Sequence, residues 1–363
     1  MSEPVAGGAL VERLRPERAD ETLAFLAAAY AGEPVSRDLY TGESGRRRWA
    51  WLNADPAVAM PDGGPPVWIA TMNGRIVGHL GAIPTAAVVR GEARPLVFAR
   101  DLIVGREARG RDVAARLMGA AVRDCGRSAV FGHPAAHVLY RRIGFRGVGA
   151  LPTLVRVRRP APFLSTFALP TVARLAAAPL LRLAQARAPG GARRLAVAGM
   201  AGFDGEFDRW WRAIEPAFDC VMRRTSESMS WRYARSPVHS YRILEARAGN
   251  ALRGVVVTRL TTSRGVLAGS IVELLAHPED RPTMVALLRA AEADLTTRFP
   301  EIVFLRGTVT HPSFRRAFGR AGYLPGPSPI RWILAAADGA SVDDLLDAGR
   351  WYLNGGESDL EFL

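Results

Sequence analysis

Apolar residues along this chain alternate with polar ones or gather in short runs, and the runs return in the same order in each half. In the first half, Val67–Thr71 and Arg75–Leu80 flank a Met72-Asn73-Gly74 turn, the signal of a β-hairpin. A further strand ends in an acid and three apolar residues, Asp101-Leu102-Ile103-Val104. A helix over 113–125 follows, then the short apolar run Ala129-Val130-Phe131, then a second helix. The second half repeats this with Tyr241–Ala246 and Leu252–Val257 about a Gly249-Asn250 turn, the strand Glu273-Leu274-Leu275-Ala276, a helix over 282–297 and the run Ile302–Leu305. Each apolar run leads into His-Pro, with an aromatic residue seven positions and a glycine eleven positions after the His. These are His133, Tyr140 and Gly144 in one copy and His311, Phe318 and Gly322 in the other. A spaced pattern recurring at this scale argues for duplication.

The 363 residues suit two domains better than one core. The expected organisation is 1–154, a linker over 155–200, and 201–363, each domain of α/β (α+β) class. The formal charge is +13, carried by arginine alone because the chain has no lysine. Eight arginines and no acid fall within 155–195, so the excess belongs mainly to the linker. Basic and aromatic residues are not interleaved as in nucleic-acid-binding surfaces, and no nucleic-acid partner is expected. Residues 161–181 are nearly all apolar, but Pro162, Pro170 and Pro179 break them too often for a straight spanning helix. Two short packed helices are expected there, with an arginine-flanked contact on an anionic membrane surface as the alternative. Cys125 and Cys220 have no metal-ligand spacing, so no metal is expected. The N-terminus lacks the charged-then-apolar profile of a signal peptide, and a cytoplasmic location is the expectation.

The candidate chemistry lies after Val104. Gly105-Arg106-Glu107-Ala108-Arg109-Gly110-Arg111-Asp112 joins a strand to a helix that opens at Val113. Free N–H groups at a helix start, the helix dipole and nearby arginines together make an anion site, for which a diphosphate is the natural guest.

From about residue 10 to 150 the sequence resembles the GCN5-related N-acetyltransferase (GNAT) family. The family's acid-bearing strand and Arg/Gln-x-x-Gly-x-Gly/Ala loop fall on Asp101 to Val104, then Arg109, Asp112 and Ala114. Its later Asn-x-x-Ala-x-x-x-Tyr-x-x-x-Gly-Phe falls on His133, Ala136, Tyr140, Gly144 and Phe145. The resemblance implies tandem acyl-CoA N-acyltransferase-like domains, each a mixed, mostly antiparallel twisted sheet flanked by helices. It also implies acetyl-CoA or another acyl-CoA as donor and a small-molecule or peptide amine as acceptor. The donor would lie along Leu102, Ile103, Val104, Arg109, Gly110, Arg111, Asp112, Val113, Ala114, His133 and Ala136. Asp101 would act as base and Tyr140 as acid.

Two departures from the family pattern stand out. Asp112 replaces a loop glycine, putting a carboxylate near the expected phosphates unless it turns to cap the helix. His133 replaces Asn and can still hydrogen-bond. In the second half the matching loop is His277-Pro278-Glu279-Asp280-Arg281-Pro282, without glycine, and Phe318 stands where Tyr140 does. That half reads as a degenerate copy. Two other functions remain open: a non-catalytic binding or regulatory module, and an aminoacyl or peptidyl transferase of FemAB type, vaguely suggested by the tail from Trp351 to Asp359.

Overall fold

The structure is a computed structural model, describing residues 9–31, 39–54, 60, 63–132, 137–168, 170–185, 195–326, 331–336 and 343–357. The chain divides into two compact units, neither continuous in sequence. The first comprises 1–149, 235–238 and 330–347; the second comprises 150–234, 239–329 and 348–363.

The first unit is built on one sheet. Its strands are β1 (Leu10–Arg13), β2 (Val67–Met72), β3 (Arg75–Val89), β4 (Glu92–Val104), β5 (Arg127–Gly132), β6 (Arg146–Ala150) and, late in the chain, β15 (Arg331–Ala336). The order across the sheet is β1-β2-β3-β4-β5-β15-β6. Asn73 and Gly74 both take positive φ, as a tight β2–β3 hairpin requires, and Arg90 and Gly91 do the same for β3–β4. Alternation along β2 sets the two faces. Trp68 and Ala70 join the cluster with Val113, Leu117 and Met118 of α3 (Val113–Cys125). Val67 and Ile69 turn the other way, with Phe25 of α1 (Ala19–Ala29) and Trp49 of α2 (Gly42–Ala54) against them. Gly78 lets α3 approach, since a Cβ there would lie 2.9 Å from Val113 Cγ1. The short α4 (His137–Arg142) precedes β6.

The second unit repeats these devices. Its sheet runs β14 (Leu324–Gly326), β7 (Thr153–Val157), β13 (Phe304–Thr308), β12 (Val266–Ala276), β11 (Ala251–Ser263), β10 (Arg242–Ala248) and β8 (Ala196–Gly199). The β11–β12 hairpin turns on Arg264-Gly265, again with two positive φ values. Gly254 faces α9 (Arg281–Arg298), where a Cβ would come within 2.9 Å of Leu287 Cδ1. The remaining elements are α5 (Pro160–Ser165), α6 (Thr171–Ala184), α7 (Gly205–Ile214), α8 (Ser226–Met229) and α10 (Pro312–Arg320). A parallel pair, β9 (Cys220–Met222) and β16 (Trp351–Tyr352), completes it.

These units do not coincide with the boundaries read from the sequence. Strand β7, placed at the seam of the first domain and the linker, lies between β13 and β14 in the second unit. Strand β15, placed in the second domain, lies between β5 and β6 in the first. If β5, β6 and β7 correspond to β13, β14 and β15, each copy has given its last strand to the equivalent slot of the other. Inter-strand hydrogen bonds form wherever a partner of matching pattern is in reach, so residue order alone cannot reveal such an exchange. Of the expected linker, α5 and α6 are helical, whereas 186–194 lie outside the described residues.

Candidate active site

Strand β4 carries the site because its pairing fails on both sides near its end. Towards β3, His79 pairs with Ile103 and Gly81 with Arg100, so Asp101 and Leu102 together face Leu80, and Asp101 takes a φ of 50°. This is a β-bulge, which bends a strand and re-aims its side chains. Towards β5, the parallel ladder is confined to Val97–Ser128 and Phe98–Ala129. Beyond Phe98 the strands part, and a cleft of about 730 Å³ opens. Leu102, Ile103, Val104 and Gly105 form one wall, Phe25 and Ala28 to Ala31 another, and Arg106, Glu107, Arg109, Ala114, Leu139 and Tyr140 complete the lining.

Five of the eleven expected donor residues line this cleft. Leu102 to Val104, Arg109 and Ala114 line it, and Arg109 Nε donates to Val104 O at 3.4 Å. Gly110, Arg111 and Asp112 continue the loop on the exposed side, and Val113 is the first residue of α3. The Arg116 N–H reaches back to Asp112 O at 3.0 Å, so the N–H groups of Val113 to Ala115 precede the first intrahelical bond. Arg106, which lines the cleft beside Arg109, is a cation that the motif comparison passed over. His133 and Ala136 lie outside the described residues.

Asp112 does not cap the helix through its side chain, as the sequence suggested it could. It occupies the N-cap position with φ 55° and ψ 17°, and its carboxylate makes no capping bond. The left-handed conformation explains why a glycine suits this position, independently of phosphate approach.

Asp101 has a different environment from the one expected of a base. Its carboxylate accepts from the Tyr40 hydroxyl at 2.5 Å and from Arg100 Nη1 at 2.6 Å, and Arg100 Nη2 reaches Asn53 Oδ1 at 2.6 Å. Burial pushes its pKa up, but Arg100, Arg48 and the nearby His79 outweigh burial and bring it down to about 2. Gly81 makes room for Arg100, since a Cβ there would stand 2.8 Å from the guanidinium carbon. A carboxylate so held is a weak proton acceptor and a strong anchor for the bulge. Tyr40 carries no local motif and comes from 61 residues away, so nothing in the sequence marked it.

His79 is also enclosed. Its Nδ1–H donates to Asp101 O at 2.9 Å, its Nε2 has no hydrogen-bond partner, and burial lowers its pKa to about 4. Tyr140 is buried on the cleft wall, its ring 5.6 Å from that of Phe145 and in contact with the open face of Gly132.

The second unit differs at the corresponding place. Its β12–β13 ladder stops at Ile271–Gly307, but residues 351–357 fill the gap that follows. Val309 bridges to Asn354, Thr310 N donates to Leu353 O at 3.0 Å, and the Tyr352 hydroxyl donates to Leu274 O. Glu273, the counterpart of Asp101, accepts from Arg224 at 2.8 Å, Tyr233 at 2.6 Å and Asn354 at 2.5 Å. Asp280 caps α9 through Thr283 N at 3.3 Å and pairs with Arg253 at 2.6 Å, so this loop start carries acid where the first unit carries arginine.

Residues 11–148 match the family model described as "Acetyltransferase (GNAT) domain". This part of the chain is a GNAT domain. The solved structures agree in fold. A GCN5-related N-acetyltransferase from Anabaena variabilis superposes with a TM-score of 0.61 at 10% identity, over 90% of this chain and 72% of that one. The N-myristoyltransferase of Saccharomyces cerevisiae, solved with bound myristoyl-CoA, gives 0.57 at 11% identity over 92% and 84%. A GCN5-related N-acetyltransferase from Kribbella flavida gives 0.53 at 17% identity over 92% and 73%. At such identities the likeness is one of fold. No curated protein matches the chain significantly. Within the GNAT domain, the bulged strand and the Arg-rich loop meet in the same cleft as Tyr140.

Proposed function

We propose that the GNAT domain is an acyl-CoA-dependent N-acyltransferase that moves an acetyl group to an amine. The observation that carries this reading is the parting of β4 from β5 beside the bulge, opening a cleft lined by Leu102 to Val104, Arg106, Arg109 and Tyr140. The residues present suit the donor: Arg106, Arg109 and the amides at the start of α3 would take its diphosphate. The unpaired edge of β4 from Leu102 to Val104 would hold its amide-bearing arm and the thioester oxygen. The donor itself supplies the activated acyl group.

The remaining chemistry concerns protons. Tyr140 lines the cleft, and its phenol would protonate the departing thiolate. The incoming ammonium must lose a proton, and Asp101 is already committed to Tyr40 and Arg100. We assign that step to water in the cleft, with Asp101 as a positioning residue that fixes the bulge.

The test is a thermal-shift titration of the full chain with acetyl-CoA and longer acyl-CoAs, followed by thiol release with a panel of amines. A donor-dependent rise in Tm together with amine-dependent thiol release is expected. No shift with any acyl-CoA at saturating concentration would remove the enzyme reading and favour a non-catalytic module.

A further inference from the structure

Helix α6 (Thr171–Ala184) turns its apolar side outward. Val172, Leu175, Leu180 and Leu183 are 66% to 79% exposed, whereas Leu10 and Val138 are the remaining exposed large hydrophobics among the described residues. With Ala176 and Pro179 they cover an arc of about 140° at 3.6 residues per turn. The opposite side faces the protein through Arg174, Ala177, Ala178 and Leu181, and Leu181 packs with Val157, Val303 and Phe304. A surface helix ordinarily places its apolar stripe against the core. Here the larger stripe is left over after packing.

We propose that this face docks on an anionic lipid surface. Charge selects that occupant: residues 155–195 hold eight arginines and no acid, and although Arg156 and Arg158 are engaged by Glu292, Arg159 and Arg182 are exposed, Arg182 at the edge of the apolar arc. An anionic bilayer supplies headgroup phosphates for such arginines and an acyl boundary for the leucines. A second copy of the chain would set arginine against arginine, with no acid in the segment to offset them. The depth is that of the interface. Helix α6 spans 14 residues, about 21 Å at 1.5 Å per residue. Pro179 leaves the Leu175 carbonyl without its usual helical donor, which headgroup water satisfies and hydrocarbon does not. Among the described residues no helix is long and apolar enough to cross a membrane.

The test is flotation of the full chain with phosphatidylcholine vesicles, with and without phosphatidylserine. The protein is expected to float with the phosphatidylserine vesicles and about tenfold less with phosphatidylcholine alone or at high salt. The double variant L175E/L183E should lose flotation with unchanged Tm, because both side chains are solvent-facing. Arg182→Glu should weaken only the phosphatidylserine-dependent part. Failure of the wild type to float at any composition overturns the proposal, as does flotation that survives L175E/L183E. A dimer in sedimentation velocity that L175E/L183E dissolves, without flotation, also overturns it and assigns the face to self-association.

Discussion

The Tyr40 hydroxyl donates to the Asp101 carboxylate at 2.5 Å, with Arg100 on the other oxygen at 2.6 Å. The second unit repeats the arrangement with Tyr233, Glu273 and Arg224. In both copies the acid lies beside a bulge in the third strand, between Arg100 and Ile103 in one and between Ile271 and Glu273 in the other. A bulge leaves backbone groups out of register, and a buried acid held by tyrosine and arginine ties that irregular segment to the rest of its unit. The acid therefore survives in a copy whose gap is filled, as a structural role predicts and a role as base does not.

Asp101→Asn should accordingly act on stability. It leaves the Arg100 guanidinium buried without its counter-charge, a loss of about 3–5 kcal/mol for a broken buried pair. Chemical denaturation should register this loss. The pH profile of kcat/KM for the folded variant should keep its wild-type shape; disappearance of a basic limb would return Asp101 to the role of base.

Two groups among the described residues make the first unit sensitive to acid. His79, with its pKa lowered to about 4, stays neutral in the folded state while the unfolded chain protonates near 6.5. Stability is thus full above about pH 6.5 and falls as pH drops towards 4, by up to about 3 kcal/mol. Asp101, held at about 2, adds a second loss below its unfolded value of about 3.9. Urea unfolding at pH 7, 5.5 and 4 should show the first slope, and His79→Leu should flatten it.

Asp112→Gly should tighten acyl-CoA binding and stabilise the fold. A non-glycine residue in the left-handed region costs roughly 1–2 kcal/mol, which glycine avoids, and the carboxylate beside the expected phosphates is removed. Calorimetry and a melting curve measure the two effects separately. Weaker donor binding in a stabilised variant would mean that the carboxylate helps to hold the donor.

Tyr140→Phe should lower turnover by about 10²–10⁴ and leave donor affinity nearly unchanged, as for loss of a general acid. Phe318 fits the matching place in the second unit, buried against Gly307, so packing does not explain a rate loss. Wild-type kcat, with chemistry shown to limit the rate, would leave water or the acceptor as the proton source.

Residues 1–154 expressed alone should not give a stable domain, since they lack β15 and leave the facing edges of β5 and β6 unpaired. Circular dichroism and size exclusion should report aggregation or partial folding. A compact, cooperatively melting fragment would show that the first unit folds without β15.

Local chemistry was legible in the chain. Asn73-Gly74 and Gly249-Asn250 announced their hairpins, the apolar runs gave the strands and helices, the twofold order of motifs gave the repeated order of elements, and the motifs between residues 10 and 150 gave the family. The loop from Gly105 to Asp112 was legible too, because its character comes from adjacent residues. The Arg90-Gly91 and Arg264-Gly265 turns were equally local, but they look ordinary in a chain rich in both residues. Tertiary structure decided what depends on residues far apart. Tyr40 reaches Asp101 across 61 positions, β7 and β15 trade slots, and residues 351–357 fill a gap opened near Ile271 and Gly307. Periodicity specifies which face of an element seeks cover, whereas the partner that covers it is chosen by the packing of the whole chain.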